Sequence, residues 1–464
     1  MRHESTEYRE ALEWIHGMGR FGIKPGLERV AALLEMLGNP HQTLSFVHIG
    51  GTNGKGSTAA MLASILRTAG YQIGLYTSPY LLSFTNRMAV NGSDIGPEEL
   101  VGLVREIRPL IEKIKIDPNL GQPTEFEVVT VLALTYFARR KVDLVVLEVG
   151  LGGRLDATNV VDPLFSIITN VSLEHTAVLG DTVEAIAAEK AGIIKKERPL
   201  LTSAEDEKVI KLLKERCRKL NSPFYRVYPA LPDSREQAPA PVAVLEKIAA
   251  EGQYFSYTGF SRHLERLFIP LRGLYQLTNA ATAVAAAELL SGMGFSAGQE
   301  NLRRGLAATE WPGRLERLHE KPLLIMDGAH NPASMEKLAG SLPLYFKYRR
   351  LILVLGILAD KDMKAMLGHI LPLADRVVFT RPVLPRAAEP RDVAHFASEN
   401  FSLAGPPVIL ENYREALDWA LEEAEPDDAV LVTGSLYTVS DLRAYWMGKN
   451  IFTESGKQKP VKDG

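Results

Sequence analysis

The sequence predicts an α/β protein of two domains. Residues 1–310 read as a phosphate-loop-type, mostly parallel sheet covered by helices, and residues 311–464 as a smaller Rossmann-like α/β domain. Three observations carry this. Short apolar runs alternate with amphipathic stretches along most of the chain. A glycine-rich segment follows the first apolar run and opens a helix. The break Trp311-Pro312-Gly313 separates two blocks of the alternation.

Taken in order, residues 5–38 read as helical. Leu12, Trp14 and Ile15, then Val30, Leu33, Leu34 and Leu37, recur at three-and-four spacing around the break FGIKPG. The run LSFVHIG (44–50) is a buried strand, and a helix is expected from Ser57 to Ala69. Further strands are expected at 71–77, 142–149, 164–169 and 199–202, with helices at 97–114, 124–139 and 182–194. Such apolar strands between helices imply a parallel sheet covered on both faces. Residues 229–260, rich in proline and polar side chains, read as turns and short antiparallel strands at the edge of the first domain. An alanine-rich helix is expected over 278–290. The second block offers strands at 323–327, 351–357, 376–380, 407–410 and 429–434, and ESGKQKPVKDG reads as a disordered tail.

Composition narrows the function classes. At roughly 150 residues per domain, 464 residues suggest about three domains, and two large ones fit equally well. Lys plus Arg is 53 against 56 Asp plus Glu, a net charge of −3, which argues against a generic nucleic-acid or membrane-surface binder. Hydrophobic residues at 46% supply a full core, so global disorder is excluded. The one cysteine, Cys217, can form no intrachain disulfide, which suits a reducing cytoplasm. No apolar stretch reaches the ~20 residues of a membrane span.

The sharpest signal is Gly50-Gly51-Thr52-Asn53-Gly54-Lys55-Gly56-Ser57-Thr58. Glycines let backbone N–H groups turn toward phosphate oxygens, the helix N-terminus adds positive dipole, and Lys55 adds a cation. The segment departs from the strict G-x-x-x-x-G-K-[ST] pattern, because position 49 is Ile and Gly56 separates Lys55 from a hydroxyl residue. Glu148 ends an apolar strand, where the ligand crevice of an open sheet lies, and an acid facing a triphosphate is a natural magnesium ligand.

GTNGKGST resembles the ATP loop of the Mur ligase superfamily, in particular the folylpolyglutamate synthase and dihydrofolate synthase branch. The resemblance runs through FGIKPGLERVAALLEMLGNP (21–40), YTSPYLLSFTNRMAVNG (76–92), PTEFEVVT (123–130), LEVGLGGRLDATN (147–159), SLEHTAVLG (172–180), AAEKAGIIK (187–195), WPGRLE (311–316), DGAHNP (327–332), LGILADKD (355–362) and TGSLY (433–437). Ten blocks in order are far more specific than any one of them.

The resemblance implies roles residue by residue. ATP is placed by Gly51, Thr52, Asn53, Gly54, Lys55, Gly56, Ser57 and Thr58. Magnesium is held by Glu148, by Ser78, which stands in for the hydroxyl that Gly56 displaces, and by His175 at a second ion. Ser78 read without the family is an ordinary turn residue. Lys190 is either a carbamylated lysine that orients magnesium or a plain cation pairing with phosphate. Asn279 either hydrogen-bonds adenine or, with Thr278, caps a helix. Arg314, Asp327 and His330 are implied to complete the ATP site, with an interface salt bridge as the other reading of Arg314 and Asp327. The charged loop Asp360-Lys361-Asp362 reads as an active-site loop or as merely solvated. Pro79, Arg87 and Glu127 are implied on the acceptor side, Glu127 being otherwise an exposed helix carboxylate.

The expected activity is an ATP-dependent ligase that adds L-glutamate to a folate or to dihydropteroate through an acyl phosphate. The expected protein is a cytoplasmic monomer without nucleic-acid or membrane partners. Another Mur-type ligase of cell-wall precursors would need a uridine-nucleotide module, whereas here the phosphate loop begins by residue 50. An ATP-gated switch would call for a repeat, a coiled coil or a basic patch, and the sequence offers none.

Overall fold

The computed structural model describes residues 5–18, 26–233 and 239–454. Most of the FGIKPG break, and residues 455–464 of the expected tail, lie outside them. The chain divides into two compact units, one of residues 1–270 and 274–310 and one of residues 271–273 and 311–464.

The first unit contains eight strands in one sheet. They are β1 (Phe46–Gly50), β2 (Ile73–Tyr76), β3 (Met88–Val90), β4 (Ser93–Asp94), β5 (Leu144–Glu148), β6 (Phe165–Ile168), β7 (Leu200–Thr202) and β8 (Phe224–Arg226). Their order is β4-β3-β2-β5-β1-β6-β7-β8. The six strands from β2 to β8 in that order run parallel, and β3 and β4 add an antiparallel edge. β1 and β5 are buried along their whole length, as strands covered on both faces must be. The sequence reading missed β3, β4 and β8, because strands of two or three residues are too short to show a period.

β1 lies between β5 and β6, with Ile49 opposite Glu148 and Gly50 opposite Ile168. Parallel neighbours end on the same side, so the loops after β1, β5 and β6 meet at one sheet edge. That register positions the site. A separate antiparallel sheet follows, formed by β9 (Val242–Ala249), β10 (Gly252–Thr258) and β11 (His263–Ile269). It is more regular than the expected turns and short strands, and it runs on past residue 260.

Two helices begin earlier than expected, each directly after a glycine at positive φ. Gly54, at φ +85°, opens the helix Lys55–Thr68. Gly273, at φ +104°, opens the alanine-rich helix Leu274–Ser291. The helix expected at 182–194 ends at Lys190 and tightens into a 3₁₀ turn, Ala191–Ile193. There Gly192 lies so close to the Arg154 backbone that a Cβ would come within 2.4 Å of it.

The second unit holds six strands: β12 (Glu316–Glu320), β13 (Leu323–Met326), β14 (Leu351–Leu355), β15 (Arg376–Arg381), β16 (Val408–Asn412) and β17 (Ala429–Thr433). Their order is β12-β13-β17-β14-β15-β16, all parallel except for the β12 edge. Leu353, Val354, Leu431 and Val432 in the central strands are fully buried. Among the described residues no helix is long and apolar enough to cross a membrane.

Candidate active site

The loop after β1 is held from behind by the loop after β6. Asn170 accepts the Asn53 N–H on its side-chain oxygen at 2.8 Å and the Thr52 N–H on its carbonyl at 2.9 Å. Thr169 Oγ1 donates to the Asn53 carbonyl at 2.7 Å. A Cβ on Gly51 would fall 2.0 Å from that hydroxyl, and one on Gly54 would fall 2.5 Å from Asn279 Oδ1. Only glycine fits either place. The first-turn N–H groups of Lys55, Gly56 and Ser57 have no partner inside their own helix, and the helix dipole adds positive potential there.

Two lysines converge on one oxygen. Lys55 Nζ donates to the Gly51 carbonyl at 3.1 Å and to that of Thr52 at 3.0 Å. Lys190 Nζ donates to the same Gly51 carbonyl at 2.9 Å. Lys190 is buried, and burial together with the charge of Lys55 brings its pKa down to about 7. Its amine is therefore substantially uncharged near neutrality, which a plain surface lysine is not.

Glu148 is buried at the end of β5. Its Oε2 accepts the Ser78 N–H at 3.2 Å, and its Oε1 lies 4.0 Å from Lys55 Nζ. Magnesium takes oxygen ligands, keeps several waters and is held by one or two carboxylates plus substrate phosphates. A buried carboxylate with a serine beside it, next to a phosphate-binding loop, fits that requirement. The hydroxyls of Thr58, in the helix that follows the phosphate loop, and of Ser172, in the loop after β6, are buried without a protein partner and offer two more oxygens. His175 is exposed and heads the four-residue helix Thr176–Leu179 at φ 52°. Among the described residues no three His, Cys, Asp or Glu side chains group as a metal site.

Two sequence readings change here. Asn279 is not a helix cap, because the helix starts five residues earlier. It lies inside the first turns and donates to Gln276 Oε1 at 2.9 Å, while Gln276 Nε2 donates to Ser57 Oγ at 3.3 Å. Glu127 is not an exposed carboxylate: it is 3% exposed. Arg29 grips it through Nε at 2.9 and 3.0 Å and through Nη2 at 2.7 Å. Glu127 also accepts the Thr124 N–H at 2.7 Å in a capping box that starts the helix Glu125–Arg139. Its carboxylate therefore helps to hold this corner of the fold together. The spacing Thr-x-x-Glu is the signal that could have told this.

Arg87 stacks over Tyr80 and Phe84 at 5.3 and 5.5 Å and meets Glu125 at 3.4 Å. Its Nε is buried without a partner. Pro79 is exposed at the start of this segment.

In the second unit Asp327 is buried. Its oxygens accept the N–H groups of Leu315 and Ala329, each at 2.8 Å. Burial raises its pKa against the opposing pull of Arg314. A carbonyl can only accept, so the 2.8 Å contact between His330 Nδ1 and the Gly328 carbonyl places a proton on Nδ1. Arg314 and Leu436 press on Gly328, where a Cβ would meet them at 2.5 and 2.3 Å. Asp362 caps the helix Met363–Ile370, so that charged loop is partly structural.

The chain is similar to known proteins over most of its length. The family model described as the Mur ligase middle domain matches residues 49–287, and the Mur ligase glutamate ligase domain matches residues 313–436. A dihydrofolate synthase/folylpolyglutamate synthase of Bacillus subtilis is 38% identical over 442 residues, covering 94% of this chain and 99% of the relative. A Mycobacterium tuberculosis folylpolyglutamate synthase solved with ADP and AMPPCP superposes with a TM-score of 0.85 at 32% identity, covering 95% of this chain and 99% of that one. A solved FPGS–AMPPCP–folate complex gives a TM-score of 0.79 at 33% identity, covering 95% and 100%.

Proposed function

The chain belongs to the folylpolyglutamate synthase/dihydrofolate synthase family of Mur ligases, and from that membership we propose that it is an ATP-dependent ligase joining L-glutamate to the γ-carboxylate of a folate. One observation in this chain carries the reading: Lys55 and Lys190 meet on the Gly51 carbonyl beside Glu148, at the mouth of a loop built to bind phosphates.

A carboxylate is a poor electrophile, so the γ-carboxylate first attacks the γ-phosphorus of ATP. ADP leaves and an acyl phosphate remains. The glutamate amine then attacks the acyl carbon and phosphate departs. The chain's part is mainly positioning and charge stabilisation. The loop N–H groups and Lys55 hold the phosphates, and Glu148 with Ser78 is the site assigned to magnesium. When bound, that ion neutralises charge on the β- and γ-phosphates. Asn279 is assigned to adenine, and His175, Arg314, Asp327 and His330 to the nucleotide and reacting groups. Arg87, with its aromatic neighbours, is assigned to the acceptor.

A finer reading concerns Lys190. A neutral amine adds carbon dioxide and an ammonium does not, so its lowered pKa supports carbamylation. Intact mass spectrometry under carbon dioxide should show one added carbon dioxide, lost in Lys190→Ala; identical masses for the two would reject it.

The deciding experiment is ADP release with dihydropteroate, dihydrofolate and reduced folates, each with and without glutamate. Release that needs both an acceptor and glutamate is expected. Release indifferent to both would overturn the ligase. The relative rates with dihydropteroate and the folates decide whether the chain has one activity or two.

A further inference from the structure

Beneath the phosphate loop lies a buried polar chain that the roles above leave unused. His48 stands in the middle of β1, two residues before Gly50, and is wholly buried. Its Nε2 is 2.8 Å from Thr158 Oγ1. That hydroxyl is 2.5 Å from Asp156 Oδ1. Asp156, also buried, accepts the Thr158 N–H at 3.0 Å and, on Oδ2, the Leu151 N–H at 2.8 Å. Leu151 is three residues beyond Glu148.

The proton directions follow from the groups. Burial raises the Asp156 pKa, and the hydrogen bonds it accepts from Thr158 and Leu151 oppose that; with the carboxylate ionised it only accepts, so the Thr158 hydroxyl donates to Asp156 and must itself accept from His48. This fixes the ring as the Nε2–H tautomer. Burial, aided by the charge of Lys195, brings the His48 pKa down to about 3, so the ring is neutral. Its Nδ1 is buried without a partner. A side chain that only filled space would be apolar like its neighbours Val47 and Ile49, because an unpartnered buried nitrogen costs stability.

We infer that His48 is a positioning residue: through Thr158 and Asp156 it ties the turn 150–156 to the strand that carries the phosphate loop, and so fixes Glu148 relative to the bound phosphates. The tie itself rests on this hydrogen-bonded chain alone; its consequence for Glu148 rests on the ligase reading above.

Three measurements test it. Imidazole ¹⁵N spectra should show His48 as a neutral Nε2–H ring from about pH 5 to about pH 8. An Nδ1–H or doubly protonated ring would overturn the proposal. His48→Phe keeps the ring volume and removes the donor. It should speed hydrogen exchange in the peptide 149–156 and raise the half-saturating magnesium for ADP release, each by about tenfold, with lower kcat and unchanged KM for glutamate. His48→Gln restores a donor and should recover most of both effects. Should His48→Phe fail to fold, Thr158→Val breaks the same chain at nearly constant volume and should behave alike. Wild-type exchange in both variants would overturn the tie. Faster exchange with unchanged magnesium dependence would overturn its link to Glu148. A wild-type protein without acceptor-dependent ADP release would refute the ligase, yet the ring tautomer and the exchange would still decide the tie.

Discussion

Gly54 and Lys190 show two ways in which single residues define this site. At φ +85°, with Asn279 Oδ1 within 2.5 Å of any added Cβ, Gly54→Ala must strain the loop backbone and displace the Asn279 side chain. We expect at least about tenfold weaker ATP binding with the fold retained, read by nucleotide titration and circular dichroism. Glu148→Gln keeps the shape and removes the charge, so it should raise the magnesium requirement sharply; an unchanged magnesium dependence would contradict metal ligation. For Lys190 the sign is set by linkage. Its folded pKa is depressed to about 7 while the unfolded value lies near 10.4, so between these the unfolded chain binds the extra proton. Relative to Lys190→Met, the native protein should therefore gain stability as pH rises from about 7 toward about 10, measured as denaturant midpoints at several pH values. Gly51, Lys55 and Glu148 were legible in the sequence because motif and strand-end position coincide there. Asn170, Thr169 and Gln276 were not, because their contacts come from strand register and helix packing over more than a hundred residues.

Among elements, the most exacting joint is between the helices Glu28–Met36 and Glu125–Arg139, where Arg29 and Glu127 are both buried. Removing one partner leaves a buried charge uncompensated. Arg29→Ala should cost about 3–5 kcal/mol, while the double change Arg29→Met with Glu127→Gln should cost much less. Equal losses in thermal unfolding would show that packing, not charge, dominates. The element order was readable from apolar periodicity, and so were most parallel strands. The starts of the helices at Lys55 and Leu274 were not, because a positive-φ glycine lets a helix begin among residues with no polar cap. The close packing of the helix Gln299–Ala307 on the helix Lys55–Thr68 was also hidden. It depends on Gly305 meeting the Ile65 backbone and on Ser64 Oγ donating to the Gly305 carbonyl at 2.7 Å.

For the molecule as a whole, each unit ends its central parallel strands in a loop rich in polar groups: 50–57 and 148–156 in one, 327–331 and 433–435 in the other. A net charge of −3 gives the chain no overall positive charge to gather anionic substrates. Binding must rest on local, partly buried groups, which salt screens weakly. Magnesium–ATP at about a hundred times its Kd should stabilise the native chain by about 2.7 kcal/mol. Lys55→Ala should abolish both that shift in melting temperature and ATP turnover. A variant with near-normal ligation would remove the phosphate-loop assignment.

The shared Gly51 carbonyl has a practical side. The Lys55 ammonium and a helix N-terminus close to it make the loop a general trap for small tetrahedral anions. Phosphate and sulfate buffers will therefore act as competitors, and nucleotide affinities measured in them will read too weak beside those measured in a bulky organic buffer.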